Sequence, residues 1–267
     1  MKKYFFSIVI LALALQACNT YRYDKARKTE PGPPGTIWLT GNKYIDNTEV
    51  RNIDWKEYLS FLENKFGRDS KEFKAAMPDT LLWATDTVNG NPGMISLYLQ
   101  NFEFNSYPVV GVSYEQVNEY CKWRTESVTE NFFKNKKNGP KKIIYRLPTS
   151  EEWEIAASAA LSYKNFPWGY ENLLDKYNFP KVICSEYNTF FARDRSYPPL
   201  FPAVSRFPNR FGLHNMCGNA AEMTDKKGIA KGGSFAHSLK ECRILKSVTY
   251  TKPECWLGFR CVCEILE

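Results

Sequence analysis

Histidine is nearly absent: His214 and His237 are the only two in 267 residues. A His-rich zinc site or a histidine relay is therefore hard to build. No apolar run reaches the roughly 20 residues that a membrane-spanning helix needs. No internal repeat recurs, and no break after residue 36 resembles a second linker, so the bulk of the chain reads as one domain. A composition of 43% hydrophobic and 24% charged residues excludes collagen-like, disordered and multi-span membrane classes. Aromatics, by contrast, are plentiful: 16 Tyr, 18 Phe and 7 Trp call for a substantial core or an aromatic-rich groove. The net charge is +7. No nucleic-acid-binding module accompanies it, so no nucleic-acid partner is expected.

The first eighteen residues read as an address. Lys2 and Lys3 precede the apolar run Phe5 to Leu15, broken only by Ser7, which is the pattern of a secretory signal. Leu15-Gln16-Ala17-Cys18 resembles the bacterial lipobox, in which the cysteine is lipidated and becomes the first residue of the mature protein. A plain signal peptide with an incidental Cys18 is the alternative. Residues 1–17 are thus expected as a lipoprotein signal peptide, 18–36 as a lipidated tether and 37–267 as the globular domain. Asn19 after the cysteine favours the outer membrane, with the chain lipid-anchored on its periplasmic face. Arg22, Lys25, Arg27 and Lys28 in the tether either lie near anionic lipid or form a solvated linker.

Outside the cytoplasm cysteines tend to pair. Of the eight cysteines, seven remain once Cys18 is set aside, an odd number that leaves at least one thiol free or paired elsewhere.

Helical periodicity appears three times. Trp55, Tyr58, Leu59, Leu62 and Phe66 share a face over residues 54–66, ahead of Gly67. Ser113 and Gln116 form a capping box before Val117, Tyr120, Cys121, Arg124 and Val128. Thr149 and Glu152 form another before Trp153, Ala156, Ala157 and Ala160. Residues 134–142 read as a basic loop. From Pro167 onward Pro, Gly and Asn punctuate short segments. Two to three helices, short strands and long loops predict an α+β fold.

Seven segments then occur in order: Tyr44 to Val50 (YIDNTEV), Tyr107 to Ser113 (YPVVGVS), Tyr145 to Trp153 (YRLPTSEEW), Phe166 to Gly169 (FPWG), Phe207 to Gly218 (FPNRFGLHNMCG), Lys231 to Phe235 (KGGSF) and Gly258 to Cys261 (GFRC). Together they resemble the formylglycine-generating enzyme, or sulfatase-modifying factor, superfamily across residues 37–263. The resemblance implies a C-type-lectin-like α+β fold with little regular secondary structure. Residues 78–83, 101–110 and 121–126 look most like the gliding-motility lipoproteins of Bacteroidetes within that superfamily.

Enzymes of the superfamily oxidise a substrate cysteine with copper and oxygen, using two cysteines with four residues between them after the G-G-S motif. Soft thiolates suit Cu(I). Counted from Gly232-Gly233-Ser234, the positions fall on His237 and Cys242. No C-x-x-x-x-C follows Gly233, so copper is not expected and the chain reads as non-catalytic. The resemblance also implies a Cys121–Cys261 disulfide, and a calcium held by Gly218, Ala220 and Glu222, oxygen ligands being what that ion takes. The competing reading of Glu222 is a buried carboxylate satisfying loop N–H groups. Ala221 and Met223 stand where the family carries tryptophan. Arg146 and Arg260 are expected to tie loops together, and Trp153 and Trp168 to be core.

These features point to an outer-membrane lipoprotein whose domain is a structural or assembly component of gliding motility or type IX secretion. Its expected partners are the membrane, through the anchor, and other envelope proteins. A divergent copper oxidase and a glycan- or peptidoglycan-binding module are the alternatives.

Overall fold

The computed structural model describes residues 32–85, 91–133, 142–162, 165–187 and 198–266. The signal peptide, Cys18 and the tether as far as residue 31 lie outside the described residues, as does most of the basic loop. Among the described residues no helix is long and apolar enough to cross a membrane.

Two four-stranded sheets form the frame. The first has β1 (Thr36–Thr40), β2 (Lys43–Asp46), β3 (Ile143–Arg146) and β8 (Val262–Ile265) in the order β1-β2-β8-β3, all antiparallel. The last strand of the chain therefore sits between β2 and β3, which ties the C-terminus into the N-terminal half. The second has β4 (Ala221–Met223), β5 (Ile229–Lys231), β6 (Ser247–Thr249) and β7 (Leu257–Gly258) in the order β6-β5-β4-β7. Its β4 and β7 run parallel, with Glu222 opposite Gly258.

Three helices occupy the predicted spans. α1 (Asn52–Phe66) starts two residues earlier than its apolar pattern, because the Asp54 carboxylate accepts from the Arg51 backbone N–H at 2.9 Å and caps the first turn. It buries Trp55, Tyr58, Leu59 and Leu62, while Phe66 at its end is exposed. α2 (Lys71–Ala76), α3 (Leu82–Thr85) and α4 (Met94–Leu97) are short helices that the sequence pattern did not reveal. Each spans under two turns, too little for a 3.6-residue period to show. α5 (Tyr114–Val128) and α6 (Ser150–Ser158) carry both expected capping boxes. The Trp55 ring stacks on Tyr120 at 5.2 Å, and Phe259 packs edge-on against both, so α1, α5 and the G-F-R segment share one core.

The α6 capping box does more than start a helix. Glu152 accepts from the Thr149 N–H at 2.9 Å, from both terminal nitrogens of Arg146 at 2.7 and 2.8 Å, and from Lys43 Nζ at 2.7 Å. Burial works against its charge, but Arg146 and Lys43 outweigh it and hold the carboxyl down at about 2. A depressed carboxylate stabilises the fold above its unfolded value and loses that contribution as pH falls. Glu152→Gln is expected to lose about 1–3 kcal/mol at pH 7. Urea midpoints measured from pH 4.5 down to 2 are expected to fall less steeply in this variant than in the wild type.

Candidate functional site

The parallel pairing of β4 with β7 brings the G-N-A-A-E and G-F-R segments side by side, and a buried polar centre forms between them. Arg260 has no solvent exposure. Its Nε donates to Glu222 Oε2 and its Nη2 to Glu222 Oε1, both at 2.6 Å. Nη1 and Nη2 also donate to the carbonyls of Asp46 and His214 at 3.0 and 2.9 Å. Trp153 Nε1, from α6, donates to Glu222 Oε2 at 2.6 Å. Glu49 lies in the same centre, fully buried, and accepts from Asn219 Nδ2 at 2.9 Å and Asn215 Nδ2 at 3.3 Å. Asp46, at the end of β2, accepts both terminal nitrogens of Arg124 at 2.7 Å and the Cys261 N–H at 2.8 Å.

Gly218 is set by a close approach: at φ 77°, a Cβ there would stand 2.3 Å from the Ile183 carbonyl oxygen. Gly218, Ala220 and Glu222 thus share one loop and strand, as expected. The carboxylate, however, is occupied by a guanidinium and an indole rather than by loop N–H groups. As placed, Glu222 fits a bidentate cationic partner, and a divalent ion would have to displace Arg260 from it. Arg146 and Arg260 both tie loops to carboxylates. Trp153 is core, but Trp168 is only half-buried. It stacks on Phe166 at 5.1 Å and lines a groove.

The remaining site positions divide. Cys121 on α5 and Cys261 before β8 are buried with their sulfurs 3.7 Å apart, a thiol–thiol contact. His237 and Cys242 face different partners. His237 Nδ1 is 2.7 Å from Ser234 Oγ and its ring stands edge-on to Trp256. Burial lowers its pKa, with Glu241 opposing. Cys242 instead packs among Phe166, Val182, Cys184 and Cys217. Among the described residues no three His, Cys, Asp or Glu side chains gather to hold a metal. The involvement of Glu49, Asp46 and Arg124 was not foreseen. Their signal was present in Y-I-D-N-T-E-V and in C-K-W-R, but nothing in either motif says that the two meet.

A groove of about 790 Å³ opens beside the polar centre, lined by Trp168, Tyr170, Leu174, Arg206, Phe207 and His214 among others. Phe207 and Tyr170 are exposed there, and Lys181 Nζ lies 5.3 and 4.7 Å from the Trp168 and Tyr170 ring centroids.

Removing one partner of a buried ion pair strands the other charge. Arg260→Met is therefore expected to cost about 3–5 kcal/mol in urea unfolding, and adding Glu222→Gln to recover much of it. Glu49 behaves oppositely to Glu152. Burial pushes its carboxyl up to about 8, with Glu222 adding to the shift and Arg260 and Asn219 opposing it. The fold favours the protonated form, so stability declines as pH rises from about 4.5 through about 8. Glu49→Gln, neutral throughout, is expected to flatten that decline in thermal melts taken across the same range.

Comparisons with known proteins agree with this architecture. The model of the sulfatase-modifying factor enzyme 1-like domain matches residues 14–265. The formylglycine-generating enzyme of Mus musculus is 21% identical over 266 residues, covering 84% of this chain and 66% of the enzyme. Inactive C-alpha-formylglycine-generating enzyme 2 of the same organism is 32% identical over 150 residues, covering 54% of this chain and 37% of that protein. The chain thus spans at most about two thirds of the length of these two curated relatives. Among solved structures, Treponema denticola variable protein 1 superposes with a TM-score of 0.52 at 18% identity, over 83% of this chain and 84% of that one. At that identity the likeness speaks for the fold alone. By its ordered motifs, its α+β architecture and a family match over nearly its whole length, this chain belongs to the sulfatase-modifying factor enzyme 1-like domain family.

Proposed function

We propose that this protein is a lipid-anchored outer-membrane component, attached through Cys18 and facing the periplasm. In it the sulfatase-modifying-factor fold acts as a non-catalytic structural or assembly part of gliding motility or type IX secretion machinery. The observation that carries the non-catalytic reading is the chemistry of the two positions, an imidazole at His237 and a single thiol at Cys242. The imidazole is engaged by Ser234 and Trp256, while the thiol packs with other thiols and lies 3.9 Å from the Ser234 carbonyl. A two-thiolate Cu(I) centre at these positions lacks its second cysteine. The existence of a relative named as inactive supports the reading, as do the lipobox and the gliding-type motif variants. Cys121 and Cys261, already in contact, are proposed as a long-range disulfide in that oxidising compartment, which would fasten α5 to the segment before β8.

The test has two arms. Crosslinking in intact envelopes followed by mass spectrometry is expected to capture envelope proteins of a motility or secretion complex, and deletion to impair gliding or cargo secretion. Unchanged motility and secretion would remove the machinery assignment. Incubation with Cu(I) and a cysteine peptide is expected to give neither stoichiometric binding sensitive to Cys242→Ser nor an aldehyde product. Either positive result would restore the divergent oxidase.

The groove favours a second reading, a ligand-binding envelope module. Exposed aromatic faces beside lysine suit the apolar faces and hydroxyls of a sugar. Retention of the protein by isolated sacculi, abolished by Tyr170→Ala with Phe207→Ala, is the outcome that this reading predicts. The proposed calcium competes with Arg260 for Glu222. A melting temperature unmoved by a calcium chelator would leave the carboxylate to the ion pair.

A further inference from the structure

Three cysteines that the family resemblance leaves unassigned come together behind the G-G-S loop. Cys184, Cys217 and Cys242 are all buried in one cluster, walled by Phe166 and Val182. They belong to three stretches of chain, and the one that carries Cys184 is laced to each of the other two. Ile183 bridges Gly218, and the Asn219 N–H donates to the Ile183 carbonyl at 2.9 Å. Ser185 N–H donates to the His237 carbonyl at 2.9 Å, and Leu239 N–H to both oxygens of Glu186 at 2.9 and 2.8 Å. Room for one sulfur is made by Gly233: at φ 61°, a Cβ there would stand 2.6 Å from Cys242 Sγ. Cys217 is turned aside, its thiol donating to the Cys242 carbonyl at 2.8 Å. The Cys242 sulfur lies 3.9 Å from the Ser234 carbonyl and the Cys184 thiol contacts Glu186, and the two thiols lie within hydrogen-bonding reach of each other.

We infer that Cys184 and Cys242 form a disulfide in the oxidised protein, stapling residues 182–187 to the loop 233–242, while Cys217 stays a thiol. The inference deepens the envelope reading, because a disulfide needs an oxidising compartment. The one cysteine left at the family's copper positions is thereby spent on a structural bond. A metal is the other use of three thiols, but these do not gather as a ligand set. Contact with the Cys184 thiol, together with burial, holds the Cys242 thiol far above its ordinary range.

The oxidant required is a second disulfide, such as that of an envelope thiol–disulfide exchange protein. One thiolate of the pair attacks it, forming a mixed disulfide and expelling one thiolate of the donor. The other cysteine then attacks the mixed disulfide and releases the second donor thiol. Two protons and two electrons leave the pair, and the donor disulfide becomes two thiols. Because both sulfurs are buried in the folded protein, the exchange belongs to folding, before the 233–242 loop closes.

The test uses the whole chain, once extracted from native envelopes and once refolded with reduced and oxidised glutathione. Free thiols are trapped with N-ethylmaleimide under denaturing conditions, and non-reduced peptides are mapped by mass spectrometry. The expected result is a Cys184 peptide linked to a Cys242 peptide, with Cys217 alkylated. Reduction is expected to lower Tm by ~5 °C or more. Cys184→Ser, Cys242→Ser and the double variant are expected to lose the same amount as one another, since each removes the same bond, and less than reduction, which also opens the proposed Cys121–Cys261 bond. Both cysteines alkylated after refolding in glutathione, or either linked to Cys217, overturns the inference. The wild-type map decides this even if the variants fail to fold. A bond formed in glutathione but absent from the envelope sample upholds the pairing and counts against the envelope location, so the two failures are distinguishable.

Discussion

A guanidinium with no access to water must be satisfied entirely by protein, and the placement of Arg260 organises much of this fold. Its nitrogens reach Glu222 on β4 and the carbonyls of Asp46 and His214. Those groups lie in two distant stretches of sequence, around residue 46 and over 214–222. Trp153 adds a third, because its indole donates to the same carboxylate. Charges removed from water are costly unless geometry and hydrogen bonding are nearly complete. A loop-rich domain with strands of two to five residues has little backbone ladder to fix its segments. A fully satisfied buried network supplies some of the registration that long strands provide elsewhere. The second ion pair, Arg124 with Asp46, extends the network to α5 and back to the Cys261 N–H.

The same economy explains how the family's fold is retained while its chemistry is proposed to be lost. The motifs Y-R-L-P-T-S-E-E-W and G-F-R-C, with the carboxylate of G-N-A-A-E, supply the polar centre and the capping box around Glu152. Positions that a copper enzyme would need contribute nothing to that centre: His237 turns to Ser234 and Trp256, Cys242 to other thiols. Neither side chain bonds to the Arg260–Glu222 pair, so these positions can change without breaking it. Fold and function are separable in this sense.

Capping boxes at Ser113 and Thr149 were legible in advance because each is a local bond pattern three residues long. The apolar face of α1 was legible because it repeats over four turns, whereas α2, α3 and α4 were too short to declare a period. The expectation that Arg260 and Arg146 bind carboxylates or carbonyls held in kind, while the particular partners did not follow from it. Glu222 shows the difference plainly. Its burial was one of two readings open in the sequence. Its engagement by Arg260 and Trp153 depended on the parallel pairing of β4 with β7 and on the placing of α6, neither of which is written near residue 222.

By itself, the sequence determined the family, the α+β class, the three long helices with two of their caps, and the absence of a C-x-x-x-x-C after Gly233. These are statements about residue types at short or ordered spacing. Tertiary structure alone decided which charges meet, that Glu49 is shut away beside Glu222, that Trp168 packs on the core with one side in a groove, and that Cys184, Cys217 and Cys242 share one cluster. Those outcomes rest on contacts between residues tens to hundreds of positions apart. They are fixed only when β8 inserts between β2 and β3 and the G-F-R segment is drawn against β4.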